Sequence, residues 1–233
     1  MERYRKHINF DAIGIDGQKK LLSSSILIIG AGGLGTNFAN HFVRAGLGKI
    51  TIVDNDRIEL GNLQRQLFYD ERDIGKFKAE VLSEKLGFVN SEIKINGLVS
   101  KVDALNIDDL VCDVDIVIDA TDNFETRLLI DDACRIQSVP WVFTGIIGAT
   151  AQSMLMLPDG RPLREVLDTF GLKDLYSDVE PDSSSPVVAP AASMIASFST
   201  VLALRSLLKA EADMVNKLFV LDAWNGSLRS INF

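Results

Sequence analysis

Ser25-Ile-Leu-Ile-Ile-Gly30-Ala-Gly32-Gly33-Leu-Gly35 decides the fold of this 233-residue chain. Ile26 to Ile29 is a continuous apolar run, as expected of a parallel strand covered on both faces. Gly30-x-Gly32-x-x-Gly35 follows without a spacer. Glycines in this pattern allow a tight turn and a close backbone approach, and the next helix start offers N–H groups and a positive dipole end to phosphate. Phe38, Phe42 and Ala45 recur at helical spacing over 36–45, and Lys49-Ile-Thr-Ile-Val-Asp54 reads as a second strand. It closes on an acid about 20 residues past the last glycine, where ribose hydroxyls are usually held. Strand, turn, helix, strand and acid in this order predict an α/β fold. The expected architecture is a Rossmann-like, doubly wound, mostly parallel sheet with a C-terminal antiparallel extension. Nucleotide is expected at Gly30, Gly32, Gly33, Gly35 and Asp54.

A dinucleotide-dependent oxidoreductase would share all of these features. The residues after Asp54 favour ATP instead. Asp56, Asn62, Arg65, Gln66 and Lys78 crowd into one segment, with Arg72 and Lys76 beside them. An ATP whose pyrophosphate departs needs fixed cations against the charge building on the leaving group. Arg65 and Lys78 can supply them, although a solvated surface would also carry such residues. Further on, Val114 to Asp119 reads as another strand, with Ala120-Thr-Asp122-Asn123 just past its end. Ligands in open parallel sheets sit outside the carboxyl ends of strands. Asp122 is thus placed to hold Mg²⁺ between phosphates. Asp122 and Asn123 are equally good N-caps for a helix over 124–137, and the two roles can be divided between them.

Arg3-Tyr4-Arg5-Lys6-His7-Ile8, the Gly30–Gly35 turn, Asp54-x-Asp56, Asn62-Leu-Gln-Arg-Gln66, Gly75-x-x-Lys78 and Thr121-Asp122-Asn123 together resemble the ThiF/MoeB/HesA group of E1-like adenylyltransferases. The resemblance runs from Arg3 almost to Phe233. It implies a homodimer in which ATP and Mg²⁺ meet the C-terminal carboxylate of a ubiquitin-like sulfur carrier ending in Gly-Gly. That carboxylate would attack the α-phosphate, release pyrophosphate and leave an acyl-adenylate for a sulfur donor. On the same ground Asp54 would bind ribose, Asn62, Arg65 and Lys78 would face the phosphates, and Asp122 would be the magnesium-linked acid. An arginine from the partner's N-terminus aligns with Lys6, one position after Arg5. Lysine lacks the bidentate fork, so either Lys6 acts as a point charge or Arg5 replaces it. An enzyme adenylating a ribosomal peptide or another small carboxylate would share every ATP residue.

The chain departs from its look-alikes in two respects. Their two zinc-holding CxxC pairs are absent; the first aligns with Leu163 and Val166, and Cys112 and Cys134 are the sole cysteines. No zinc is expected. The long segment 158–190, where some relatives carry a carrier-linking cysteine, has none. Both cysteines are expected to be buried and the chemistry to stop at the adenylate.

A net charge of −8 and no basic stripe give no footprint for nucleic acid. Few cysteines and no basic n-region before an apolar stretch suggest a cytoplasmic protein. One domain over 1–233 is expected. It would comprise an N-terminal arm (3–24), a nucleotide-binding core (25–157), a crossover loop region (158–190), and a C-terminal helix and hairpin (191–233). The segment from Arg161 to Ser185, with its Pro181-Asp-Ser-Ser-Ser-Pro186 run, reads as a long loop. The apolar stretch from Ala191 to Leu208 is interrupted by serines, Thr200 and Arg205. It therefore reads as a buried helix, with Met194, Ile195, Phe198, Val201 and Leu202 on its stripe, and not as a membrane span.

Overall fold

The continuous apolar runs become inner strands. In the computed structural model, which describes residues 1–171 and 186–233, β1 (Ser25–Ile29), β2 (Lys49–Val53) and β4 (Ile116–Asp119) are almost wholly buried. With β3 (Lys94–Leu98), β5 (Trp141–Ile147), β6 (Thr150–Met156), β7 (Lys217–Asp222) and β8 (Ser227–Asn232) they form one sheet, ordered β3-β2-β1-β4-β5-β6-β7-β8. Pairing is parallel from β3 to β5 and antiparallel from β5 to β8. This is the Rossmann-like α/β sheet with its antiparallel extension. Chain order turns back between β1 and β4, so the loops after these strands diverge and open a crevice at their carboxyl ends.

Successive side chains of β1 leave the sheet on opposite sides. Ile26 and Ile28 pack with Leu21 of α2 (Gly14–Ser23), Phe38 and Phe42 of α3 (Gly33–Ala45), Leu82 and Leu86 of α4 (Lys78–Gly87), and Ile195 and Leu202 of α8 (Ala189–Leu207). Leu27 and Ile29 pack with Val111 of α5 (Ile107–Val111), Ile130 and Cys134 of α6 (Phe124–Ile136), and Leu163 and Val166 of α7 (Leu163–Thr169). Each such fully buried aliphatic side chain contributes about 1.5–3 kcal/mol, so the strands that carry the crevice are the best anchored.

The arm, with α1 (Arg5–Ile8) and α2, packs at the far end of α3. Gly46 ends α3 at φ 82°, and a Cβ there would stand 2.4 Å from the Tyr4 ring. Asn90 Nδ2 donates to Tyr4 Oη at 2.8 Å and seats the ring.

Three expectations change, and the reading of a buried helix in place of a membrane span holds. The segment read as loop from Arg161 contains α7, whose first amide, Leu163 N, donates to Asp131 Oδ2 of α6 at 2.8 Å; residues 172–185 lie outside the described ones. Cys134 is buried as expected, but Cys112 is exposed, because it closes the short α5 beside Asp113 in a left-handed turn at φ 59°. On α8, Ile195 and Leu202 face inward while Met194 and Val201 are largely exposed. Finally, α8 is long and apolar enough to cross a membrane by length and composition, yet it packs against α3, β5 and β6.

Candidate active site

Two of the four glycines are demanded by the turn itself. Gly30 has φ 101°, and a Cβ there would lie 2.5 Å from the Ala120 carbonyl oxygen. At Gly35 a Cβ would meet the Gly30 carbonyl oxygen at 1.9 Å. These contacts pin β1, α3 and the loop after β4 together. Gly32 and Gly33 are different. Gly32 has ordinary extended backbone (φ −84°, ψ −152°) as the N-cap of α3. A Cβ on Gly32 would meet Gln66 Nε2 at 3.8 Å, and one on Gly33 would meet Arg65 Cγ at 3.4 Å and Arg65 O at 3.5 Å, all ordinary contact distances. The fold does not need these two to be glycine. Their missing side chains leave backbone N–H groups of a helix start open to a phosphate.

Around this turn the structure gathers most of the expected residues. Asp54 Oδ2 accepts from Ala31 N and Oδ1 from Asp56 N, each at 2.7 Å. Burial pushes the Asp54 carboxyl above the usual carboxylate range, against these two donors and nearby Lys78. Lys78 is nearly buried and its Nζ sits 2.8 Å from Asp56 Oδ2. Arg65 lies against Gly33, with Nη1 donating to Gly61 O at 3.0 Å. Gln66 is buried beside Gly32, and its Oε1 has no partner among the described residues. A buried polar atom without a partner is costly, so a ligand group at this turn would satisfy it.

Asn62 and Asn123 have local duties as well. Asn62 Oδ1 accepts from Glu59 N and fixes a single 3₁₀ turn over Leu60–Asn62. Asn123 caps α6, its Oδ1 accepting from Thr126 N at 2.9 Å. The cap therefore falls to Asn123, and Asp122 is exposed, with no hydrogen bond to any described residue. Among the described residues no three His, Cys, Asp or Glu side chains are grouped to hold a metal. A cation at Asp122 would need further oxygens from a ligand, as Mg²⁺ commonly takes them from phosphates.

Arg5 and Lys6 are not at this site in their own chain. Both are exposed on α1, beyond the C-terminal end of α3. Thirteen residues of helix separate that end from the glycine turn, about 20 Å.

Several residues that shape the site had no reading in the sequence. Tyr69 Oη donates to Ala31 O at 2.9 Å and lies 3.2 Å from Lys78 O, joining the glycine turn to α4. Phe68 has a left-handed backbone at φ 76°. Its carbonyl accepts from Lys85 Nζ at 2.6 Å, and the same ammonium binds Asp70 at 3.0 Å and Asp73. Hydrogen bonds from Arg72 and then Lys85 hold the Asp70 carboxyl well below its usual range. Burial alone would raise Asp73, but Lys85 and Lys76 bring it below that range. Arg127, on the inner side of α6, forms a buried pair with Asp119 at 3.0 Å. A guanidinium recurring with Ile130 and Cys134 at core spacing was the signal for it.

The ThiF family pattern matches residues 4–233. The chain belongs to the ThiF family. It is 37% identical over 225 residues, 95% of its length, to the sulfur carrier protein ThiS adenylyltransferase of Bacillus subtilis. It is 31% identical over 237 aligned residues, 98% of its length, to the probable adenylyltransferase/sulfurtransferase MoeZ of Mycobacterium tuberculosis. The chain spans 65% and 59% of the lengths of these ThiF-family relatives. Among solved structures, Escherichia coli MccB with AMPCPP and MccA superposes at a TM-score of 0.81 and 25% identity, over 99% of this chain and 71% of MccB.

Proposed function

We propose that this ThiF-family chain is an ATP-dependent adenylyltransferase acting on the C-terminal glycine carboxylate of a ubiquitin-like sulfur carrier. One observation carries the reading: Gly32 and Gly33 are open where the fold does not require it, beside Arg65, Gln66 and the Lys78–Asp56 pair. The relatives' names support the substrate class. Phosphates would lie on the α3 N-terminus, with Asp54 and Gln66 on the nucleoside side. A carrier carboxylate oxygen attacks the α-phosphorus while the bond to the bridging oxygen breaks, leaving acyl-adenylate and pyrophosphate. Arg65 and Lys78 offset the charge gathering on the leaving group. Mg²⁺, when bound at Asp122 with the phosphates, would neutralise phosphate charge and orient the chain of phosphates. Arg5 or Lys6 would reach this site from the second subunit of a homodimer, since their own site is a helix length away. The product would pass to a sulfur donor protein.

ATP–pyrophosphate exchange with Mg²⁺, with and without Gly-Gly-ending carriers, tests the proposal. Exchange that appears with one carrier is the expected result. ATP binding without exchange for any carrier would favour the second reading, a peptide or small carboxylate substrate, for which the MccB likeness speaks. Absence of ATP binding would overturn both.

A further inference from the structure

Asp122 stands on a loop whose neighbours on both sides are locked, while its own side chain has no hydrogen bond to any described residue. Thr121 is held at three points. Its N–H and its hydroxyl both donate to Asp119 Oδ1, at 2.9 and 2.6 Å. Its carbonyl accepts from Arg127 Nη2 at 2.8 Å. That carbonyl belongs to the peptide plane that leads into Asp122, so fixing it fixes the direction in which Asp122 leaves the loop. On the other side, Asn123 is held by its cap to Thr126 N. Ala120 rests against Gly30, tying the same loop to the glycine turn.

The anchor beneath this loop is a buried ion pair. Asp119 is fully buried and Arg127 nearly so. Arg127 Nε donates to Asp119 Oδ2 at 3.0 Å, while Nη2 also reaches Thr144 O on β5 at 3.1 Å. The guanidinium lies 5.1 Å from the Phe143 ring centre. Desolvating two charges offsets much of their attraction, and well-packed apolar pairs of similar volume often serve stability as well or better. What an apolar pair cannot do is bind the Thr121 carbonyl, amide and hydroxyl at once.

We infer that Asp119 and Arg127 are positioning residues for Asp122: the pair fixes the 120–123 loop so that an exposed carboxylate meets a phosphate-bound cation in one orientation. Such preorganisation removes the reorganisation that a mobile carboxylate would undergo at the moment of binding. The inference rests on the proposed ATP site and adds the residues that aim its acid.

The test measures binding of a non-hydrolysable ATP analogue by calorimetry, with Mg²⁺ and with EDTA. Wild type is compared with Asp122→Asn, Arg127→Lys and the double variant Asp119→Leu/Arg127→Met. In wild type, Mg²⁺ tightens binding, and Asp122→Asn removes most of that gain. A wild type that binds no analogue, or binds it equally in Mg²⁺ and EDTA, defeats the proposed site itself. The double variant is expected to remain folded by circular dichroism and to lose at least about tenfold of the Mg²⁺-dependent gain, with binding in EDTA little changed. If it does not fold, Arg127→Lys carries the test. It keeps the charge but cannot reach Asp119, Thr121 and Thr144 together, and the same selective loss is expected. A folded variant with the wild-type Mg²⁺ response overturns the inference. Failure of both variants to fold also overturns it, because the pair would then serve the fold alone.

Discussion

Gly35 stands so close to Gly30 that a Cβ would come within 1.9 Å of the Gly30 carbonyl oxygen; Phe68, in the neighbouring 62–85 segment, keeps a left-handed backbone with a bulky side chain. Both stretches border the same crevice, and they are held by different forces. Steric exclusion sets the glycine turn: hydrogen bonds and apolar packing surround it, and two titratable side chains, Asp54 and Tyr69, bind its Ala31 backbone. The 62–85 segment is set by charge, with Lys85 gathering the Phe68 carbonyl, Asp70 and Asp73, and Lys76 and Arg72 completing the cluster. Hard-core repulsion is indifferent to salt and acid, whereas ion pairs near the surface respond to both. The glycine wall is thus set mainly by sterics, and the wall carrying Arg65 and Gln66 is conditional on charge.

This contrast can be broken at its strongest point first. Gly35→Ala is expected to lower unfolding stability by about 3 kcal/mol or more, read by chemical denaturation; near-wild-type stability would mean the turn can relax. Asp122→Ala tests the opposite extreme, an exposed residue with no hydrogen bond to any described residue. Its melting temperature should match wild type while pyrophosphate exchange falls at least about hundredfold. Gly33→Ala sharpens the distinction between the two glycine pairs. Stability should stay within about 1 kcal/mol, alanine being the better helix former, while ATP binding weakens about tenfold; unchanged affinity would remove Gly33 from the ligand's path.

The smallest effect is expected at Lys85. Lys85→Met should lower the melting temperature by a few degrees at neutral pH, with a matching weakening of ATP binding through the Arg65–Gln66 wall. Its pH dependence fixes the sign. Asp70 and Asp73 are held below the usual carboxylate range, so their contribution is present above the unfolded value of about 3.9. It is lost as pH falls through the lower folded values. Wild type should therefore lose stability below about pH 4, and Lys85→Met should lose less over that interval. Parallel curves for the two proteins would show that the cluster does not hold Phe68.

The glycine wall was legible in the sequence and the charged wall was legible only in part, and the reason is physical. Ile26–Ile29, the glycines and Asp54 form one local pattern, in which periodicity and spacing carry the geometry. Which of Asp122 and Asn123 caps α6 needed coordinates to assign, because both residue types cap helices equally well. The Lys85 cluster joins residues 68, 70, 73 and 85, and an ion-pair network of that kind has no fixed spacing to read. Strand β3 was missed because Lys94-Ile-Asn-Gly-Leu98 sits at the sheet edge and carries polar residues and a glycine, which weaken any strand pattern. Cys112 reads as a packing residue from its place just before a strand, and a left-handed turn at Asp113 leaves it exposed instead.

Asn123 and Asp122 are neighbours under separate constraints, and that has a consequence for how such a chain can drift. In a library randomised at both positions and selected for folding alone, position 123 should retain Asn, Asp, Ser or Thr, since each can cap α6. Position 122 should scatter, because no hydrogen bond from a described residue holds its side chain. Adding a selection for nucleotide chemistry would narrow 122 and leave the spectrum at 123 as it was.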